Sequence, residues 1–506
     1  MCIKTQLLEE PKFLTVRRPD ISQRTRIKIG FLLNYYPRHG LPTALSKRYG
    51  VSRPFVYAQK AQIKDFFSLS EDLETKKSEE NIRKLLLYRI RGGLSISKCS
   101  DFLSADSLPN TSVGWISEQI KYLGDLVGNV VDWEGQAVFA SDEIYLVSDI
   151  PVLVSVDPIS SAILSITACN QLTSESWQNH WSALESKKIH PLSIVGDEGK
   201  SLRAAHKELK DITYQPDTFH AITQRFGKVR SSLEKQATRC ISQEYERERV
   251  YLNAKSDKVK ARQLQNYQKA QTATEKALNL LSDFNWLYRH LNRQLKPVRS
   301  DGSIRLKSYA KSEVQAALEL MEETLDIDLD KQIKAVRNLL PELFTYLDQA
   351  QKVYQLLEKQ VCESVLPFFL AYWQYNRELN NLKKHKDKRR FTKSKLWLIQ
   401  IMEEYQKMNP IKFQAEKKLV FAAMQGVIQS SAMVECINSI LRPIFNESKG
   451  QVSQETLNLV MYWHNHRVFK RGKRKGKSPI ELLTGKKVET EWTKAIIDLA
   501  KTKMAA

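Results

Sequence analysis

The feature that most constrains the fold of this chain is a series of short apolar segments between residues 137 and 216. Three runs rich in Val and Ile are separated by turn-forming sequences, and they predict an antiparallel meander of three strands. A helix, a fourth strand, another helix and a last strand follow. The predicted strands lie at 138–147, 151–156, 162–168, 192–195 and 212–215, and the two helices at 173–186 and 201–209. The order indicates an α/β layer in a chain that is otherwise helical in pattern.

Acidic residues are placed where such a layer would bind a ligand. Asp197 follows the fourth strand, predicted to be buried over Leu192–Val195, and Gly196 before it allows a close approach of the backbone. Asp142 lies in the first strand and Glu435 in a helix predicted over 424–441. Hard oxygen ligands from separate elements are what a two-metal phosphoryl-transfer site requires. The three acids therefore predict a metal centre, and the alternative is three unrelated surface acids.

Neighbouring acids compete with this assignment. Glu143 and Glu198 each follow a proposed ligand. Because adjacent side chains of a strand face opposite sides, only one of Asp142 and Glu143 is expected to point at the site. Asp157 is a further rival to Asp142, although its position in DPISS favours capping of a turn.

The charge of the chain indicates a polyanionic partner. The 506 residues include 79 Lys and Arg against 57 Asp and Glu, a formal charge of +22. The alternative is a merely soluble basic protein. Six scattered cysteines without a CxxC pair suggest a reducing compartment and no structural zinc. With no apolar run of membrane-spanning length and no apolar signal segment, we expect a cytoplasmic protein with no membrane partner.

The first part of the chain is expected to bind DNA. Residues 21–68 predict two helices and then a third that Ser52 caps, with Gly50 in the turn, a pattern typical of a helix-turn-helix domain. An ordinary three-helix bundle is the alternative. A second such domain is predicted over 79–125, after a linker at 70–78. The side chains expected to face outward from the third helix and to contact DNA are Arg53, Tyr57, Gln59 and Lys60.

The rest of the chain divides into a helical part and a basic end. Residues 227–420 are predicted to form an all-α domain, with extended helices where Gly and Pro are missing. Residues 421–485 contain Glu435, with Asn438 and Arg442 one and two turns further on, where they can share its face. A short terminal helix is expected to start at Ser478 and Pro479. Before it lies a loop suited to a phosphate backbone, with Lys470, Arg471, Lys473, Arg474 and Lys475.

Taken in order, the motifs ASDEIYL, VSVDP, VGDEGKSLRAA, DTFHAITQRF, SSAMVECINSILRPIF and YWHNHRVFKRGKRKGKSPIELL resemble the DDE-type transposases of bacterial insertion sequences. More narrowly, the chain resembles the Mutator-like and hAT-like enzymes, in which a helical insertion precedes the final Glu. The resemblance covers about residues 137–226 and 424–484. It implies an α/β RNase H-like catalytic core interrupted by a large all-α insertion and preceded by helix-turn-helix units. The core parts would be 137–226 and 421–485.

The resemblance also implies a site and an activity. Asp142, Asp197 and Glu435 would bind two Mg²⁺ ions, for which Mn²⁺ can substitute, and the enzyme would cut element ends and join their 3′-ends to target DNA. In the RNase H-like fold the first and fourth strands are neighbours, so Asp142 and Asp197 would face each other. His220 follows the fifth strand, where some members place a His near the scissile phosphate; a structural His is the alternative.

Pairing of element ends would require a homodimer or a higher oligomer on double-stranded DNA. The alternatives are an inactive DNA-binding derivative of such an enzyme and an RNase H-like nuclease without strand transfer.

Overall fold

The computed structural model describes residues 18, 20–36, 38–106, 108, 110–145, 150–209, 211–447 and 452–505, with the backbone alone for 35, 64–76 and 504–505. The described chain forms two compact units. One contains the residues up to 119 together with 493–505, and the other contains residues 120–492. None of the helices in the described ranges is both long and apolar enough to cross a bilayer.

The first unit begins with three helices, as predicted. These are α1 (Gln23–Tyr35), α2 (Leu41–Tyr49) and α3 (Arg53–Leu86). Ser52 accepts a hydrogen bond from the Phe55 N–H at 3.3 Å and so caps α3. The helices enclose a small apolar core formed by Ile29, Leu33, Leu45, Val51 and Val56.

The predicted linker at 70–78 is wrong, because α3 is continuous through it. The stretch contains no Gly or Pro, and five of its nine residues are Glu, Lys or Leu, which favour a helix. A π-helical turn at Leu87–Arg91 ends α3, and two helices follow as predicted, α4 (Ile96–Ala105) and α5 (Val113–Val127). The first helix of the proposed second DNA-binding unit is therefore the end of α3.

The second unit contains one five-stranded mixed sheet in the order β3-β2-β1-β4-β5. The strands β1, β2 and β3 form the predicted antiparallel meander, and β4 and β5 run parallel to β1. The strands are β1 (Gly135–Tyr145), β2 (Pro151–Val156), β3 (Ile163–Ala168), β4 (Ile189–Gly196) and β5 (Thr213–Pro216). The first and fourth strands are neighbours, which confirms the adjacency expected for Asp142 and Asp197.

The fourth strand differs from its prediction in one detail. Leu192 was expected in the buried run, yet its side chain is 55% exposed. The pairing register of β4 with β1 shifts there, from Pro191 opposite Ala137 to Ser193 opposite Val138. This bulge turns Leu192 outward while Ser193, Ile194 and Val195 remain buried.

Helices cover the sheet and its edge. Two helices lie between β3 and β5 in the sequence, as predicted: α6 (Ser174–Ser186), which Thr173 caps, and α7 (Lys200–Lys207). A later helix, α18 (Gln454–His466), covers the edge strand β3 through side-chain amides. Asn465 accepts from the Ile163 N–H and donates to the Ile163 carbonyl, both at 2.8 Å. This pairing protects backbone groups that an open edge would expose.

A helical region follows β5 and a π-helical turn at Phe219–Gln224, and most of its buried apolar residues form one large core. Gln215 in β5 joins it to the sheet, donating to the Leu343 carbonyl and accepting from the Tyr346 N–H. The predicted extended helices are present, and the first two contain 28 and 38 residues. The helices are α8 (Arg225–Leu252), α9 (Asp257–Gln294), α10 (Lys307–Thr324), α11 (Asp330–Leu339), α12 (Thr345–Glu358), α13 (Leu366–Asn381), α14 (His385–Ser394), α15 (Leu396–Met408) and α16 (Pro410–Gln425).

The end of the chain returns to the sheet with two corrections. The single helix predicted over 424–441 is wrong: α16 ends at Gln425, and α17 (Ala432–Glu447) begins after a non-helical segment at 426–431. After α18 (Gln454–His466), α19 (Pro479–Thr484) has the Ser478 cap but is not terminal, because α20 (Trp492–Ala505) follows it. The helix α17 packs against β1 and β2, which brings Glu435 to the sheet.

Candidate metal centre and nucleic-acid interface

The carboxyl ends of β1 and β4 bring together three carboxylates. Asp142 and Glu143 belong to β1, beyond its last paired residue with β4, and Asp197 directly follows β4. One oxygen from each of the three side chains lies within 4.8 Å of the other two. The expected meeting of Asp142 and Asp197 is therefore confirmed. The expectation that only one of Asp142 and Glu143 would reach the site is wrong, although β1 keeps a regular register with β2 through Tyr145.

Backbone and amide groups hold two of these carboxylates in place. The Glu143 N–H donates to Asp142 Oδ1 at 3.0 Å, and the Asn438 amide donates to Asp142 Oδ2 at 3.2 Å. The Gly199 N–H donates to Asp197 Oδ1 at 2.7 Å. Gly196 permits the close approach predicted for it, because a Cβ there would lie 2.5 Å from Leu202 Cδ2.

Burial and mutual repulsion change how these acids ionise. Burial raises the pKa of Asp142 to about 8, and the charges of Asp197, Glu143 and Glu435 add to the rise. Burial, followed by the charge of Asp197, raises the pKa of Glu143 to about 7. An acidic cluster that resists ionisation in this way gains from a bound cation, which would favour its charged form.

Glu435 lies on α17, which packs against β1 and β2. Asn438, one turn along α17, is buried and contacts Asp142 directly. Arg442, two turns along, lies 4.0 Å from Glu435, so the predicted common face of these three residues is confirmed. Glu435 contributes to the raised pKa of Asp142 but is not one of the carboxylates grouped within 4.8 Å.

The residues present fit a hard divalent cation. Glu143 Oε2 is buried and has no hydrogen-bond partner in the part of the chain that the structure describes. The backbone at Gly199 encloses the cluster, because a Cβ there would lie 2.9 Å from Asp197 Oδ1 and 3.8 Å from both Glu143 oxygens. Several carboxylate oxygens around a confined space are the ligand type that Mg²⁺ prefers.

The rival acids are engaged elsewhere. Asp157 accepts hydrogen bonds from the Ser160 N–H at 2.8 Å and the Ser160 hydroxyl at 2.6 Å, as predicted for a turn cap. Glu198 forms an ion pair with Arg225 at the start of α8. Glu198 is thus turned away from the site, whereas Glu143 belongs to it.

His220 lies in the π-helical turn after β5, where its Nδ1 is hydrogen-bonded to Gln224 at 2.8 Å. The sequence analysis missed the residue that organises this turn, Asp217. Its Oδ1 accepts from the backbone of Phe219 and His220, and its Oδ2 accepts from the N–H and hydroxyl of Ser431, just before α17. Asp217 therefore ties the end of β5 to the helix that carries Glu435. Its position after a predicted strand, as for Asp197, was the available signal.

The predicted DNA-contacting side chains of α3 divide into two groups. Arg53 and Tyr57 are exposed and Lys60 is half-buried, in agreement with an outward face. Gln59 is only 3% exposed, so its assignment to that face is wrong. It lies three residues after Val56 and four before Ile63, both buried, and this helical spacing places it toward the core.

Two backbone hydrogen bonds join the ends of the basic loop before α19. The Phe469 N–H donates to the Lys477 carbonyl and the Gly476 N–H to the Phe469 carbonyl. Arg474 donates to the carbonyls of Pro158 and Ile159, which anchors the loop to the turn between β2 and β3. The side chains of Lys470, Arg471, Lys473 and Lys475 are exposed, whereas Arg474 is half-buried.

Comparison with models of known protein families finds no match, and comparison with curated proteins finds none either. The function is therefore argued from the geometry of the carboxylates and of the basic surfaces.

Proposed function

We propose that this chain is a DDE-type DNA transposase that binds element ends, cleaves them in an Mg²⁺-dependent reaction and joins their 3′-ends to target DNA. One observation carries the proposal. Asp142 and Asp197, 55 positions apart in the sequence, meet at the end of the parallel strands β1 and β4, and a helix from more than 200 residues later, which packs on β1 and β2, carries Glu435.

The sheet supports an RNase H-like assignment for the core. Its order places two parallel strands beside an antiparallel meander, with β1 in the centre. The helical region between β5 and α17 supports the insertion expected in the Mutator-like and hAT-like arrangement. In open sheets with parallel strands, ligands bind at the carboxyl ends of those strands, which is where the acids lie.

The residues of the site have separate tasks in this proposal. Asp142 and Asp197 would hold the cations, and the Asn438 amide and Gly199 N–H fix the orientation of those carboxylates. When bound there, Mg²⁺ would supply activation of a hydroxyl for attack and stabilisation of the leaving oxygen. Arg442 balances the charge of Glu435 and is available to contact a phosphate. No covalent protein nucleophile is needed.

DNA is the polyanion that the remaining features favour. The chain has a formal charge of +22, and the loop containing Lys470, Arg471, Lys473 and Lys475 presents several cations without regular secondary structure. Arg53 and Tyr57 on α3 can contribute base or phosphate contacts. The combination of a metal centre with a separate DNA-contacting unit favours end-specific strand transfer over cleavage alone.

The proposal is tested by incubating the purified protein with linear DNA that carries the element's ends, together with Mg²⁺, and sequencing the products. The wild-type protein is expected to cut at the ends and to join them to a target. Asp197→Asn should abolish both reactions while DNA binding is retained. Glu198→Gln is the matched control, because Glu198 is the adjacent acid but pairs with Arg225. Cleavage by Asp197→Asn at the wild-type rate would refute the assignment.

A further inference from the structure

The acids near the carboxyl ends of β1 and β4 differ in their hydrogen bonds. Asp142 accepts a hydrogen bond at each carboxylate oxygen, Asp197 accepts one from Gly199, and Glu198 is paired with Arg225. Glu143 is the exception, since its buried Oε2 has no partner among the described residues. A buried anionic oxygen without a donor is costly, and a cation would remove the cost.

A second observation, independent of the acids, points to the same place. Asn438 is only 1% exposed, and its Nδ2 donates to Asp142 Oδ2. Its Oδ1 is buried without a hydrogen-bond partner in the described part of the chain. An amide oxygen beside three carboxylates is a further hard ligand, or an acceptor for a metal-bound water. Two unpaired buried oxygens therefore border one cluster.

Glu435 has a different environment. Its side chain is 46% exposed, and Arg442, itself 61% exposed, lies 4.0 Å away. It is also outside the group of carboxylates whose oxygens lie within 4.8 Å of one another. An exposed acid with a cationic partner has less need of a metal than the enclosed Glu143.

We propose that Glu143 is a ligand of the first divalent cation, together with Asp142 and Asp197, and that this ion binds before DNA and without Glu435. Glu435 then serves the second ion, when a DNA phosphate is present to complete its ligands. This assignment rests on the proposed function and adds a fourth carboxylate to the three that the sequence analysis assigned.

The test is a titration of the full-length protein with Mn²⁺ in the absence of DNA, in which electron paramagnetic resonance measures the free ion. The wild-type protein should bind one ion tightly. Glu143→Gln and Asp197→Asn should each weaken this binding by about tenfold or more, as expected when a ligand or its support is lost. Glu435→Gln should change it by less than about twofold. Glu198→Gln, the matched control, should bind as the wild type does.

Three results would overturn the inference. In the first, Glu143→Gln binds Mn²⁺ as tightly as the wild type. In the second, Glu435→Gln loses as much affinity for Mn²⁺ as Asp197→Asn does. In the third, the wild-type protein does not bind Mn²⁺ tightly without DNA. None of them touches the proposed function, which the DNA cleavage assay tests separately. If Glu143→Gln does not fold, as judged by circular dichroism, Glu143→Asp replaces it. That variant keeps the charge but shortens the side chain, and it is also expected to bind Mn²⁺ more weakly.

Discussion

Replacing Asp142 with Asn is expected to stabilise the metal-free protein, although it removes a proposed metal ligand. The side chain is buried beside Glu143 and Asp197 without a cation, and its pKa is raised to about 8. Asn has nearly the same shape and keeps an acceptor for the Glu143 N–H. A flip of the Asn438 amide would let its unpaired Oδ1 accept a hydrogen bond from the new Asn side chain.

The size of the effect follows from the geometry. Two unit charges at the 4.8 Å limit of the cluster repel by roughly 3 kcal/mol at an effective dielectric constant of 20. Because partial protonation already relieves some of this repulsion, we expect a net gain of about 1–2 kcal/mol near pH 8. For the unit that contains residues 120–492 this corresponds to a rise in Tm of about 1–3 °C, because the entropy of unfolding grows with the size of the unit.

The predicted gain in stability depends on pH, and the raised pKa values of the acids determine its direction. The pKa values of Asp142 and Glu143, about 8 and about 7, lie above those of an unfolded chain. Between about pH 4 and pH 8 the folded state therefore binds more protons than the unfolded state, so wild-type stability falls as the pH rises. Near pH 5 both acids are protonated in the folded state but largely ionised in the unfolded chain, so the advantage of Asp142→Asn should be smaller than near pH 8, and it should vanish only below about pH 4.

The assay is differential scanning calorimetry in EDTA near pH 5 and near pH 8, followed by addition of Mg²⁺. Mg²⁺ should raise the Tm of the wild type near pH 8 and have little effect on the variant. Glu198→Gln, which removes an acid paired with Arg225, should not gain stability at the higher pH. An Asp142→Asn variant that is less stable than the wild type near pH 8 would refute the reasoning.

Further substitutions test other parts of the structure. Gly199→Ala places a methyl group 2.9 Å from Asp197 Oδ1, at a φ of −50° that Ala can adopt, so DNA cleavage should fall by about tenfold or more without loss of fold in circular dichroism. Asp217→Ala removes the acceptor for four hydrogen bonds and should cost roughly 3 kcal/mol in a denaturant titration. Tyr57→Ala should weaken binding to element ends at unchanged Tm, whereas Gln59→Ala should lower the Tm of the first unit, because Tyr57 is 47% and Gln59 3% exposed. Lys473→Ala should reduce by about 1 the slope of log affinity for DNA against log salt concentration.

The strands and the convergence of Asp142 with Asp197 could be predicted because their signals are local. Val- and Ile-rich runs bounded by turn residues identify strands, and the resemblance to DDE transposases supplied their order. Asp197 could be predicted at the end of β4 because Gly196 and the apolar run before it mark that end. The Leu192 bulge could not be predicted, since it depends on the register with β1.

Other features could not be predicted, because they depend on tertiary contacts or because few helix-breaking residues mark them. The stretch at 70–78 is polar enough for a linker, but its residues favour a helix and nothing in it stops one. The break at 426–431 had signals in Gly426 and in the serines before α17, yet helical periodicity on both sides concealed it. Glu143 was misplaced because alternation describes the direction of the Cα–Cβ bond, whereas the carboxylate lies at the end of a longer side chain, beyond the last residue of β1 paired with β4.

The proposed metal centre is tested most directly by anomalous diffraction from crystals of the protein with Mn²⁺ and a DNA end. Peaks are predicted beside Asp142, Glu143 and Asp197, with a second ion reaching Glu435 when DNA is bound. Crystals that bind DNA but show no Mn²⁺ at these carboxylates would contradict the account.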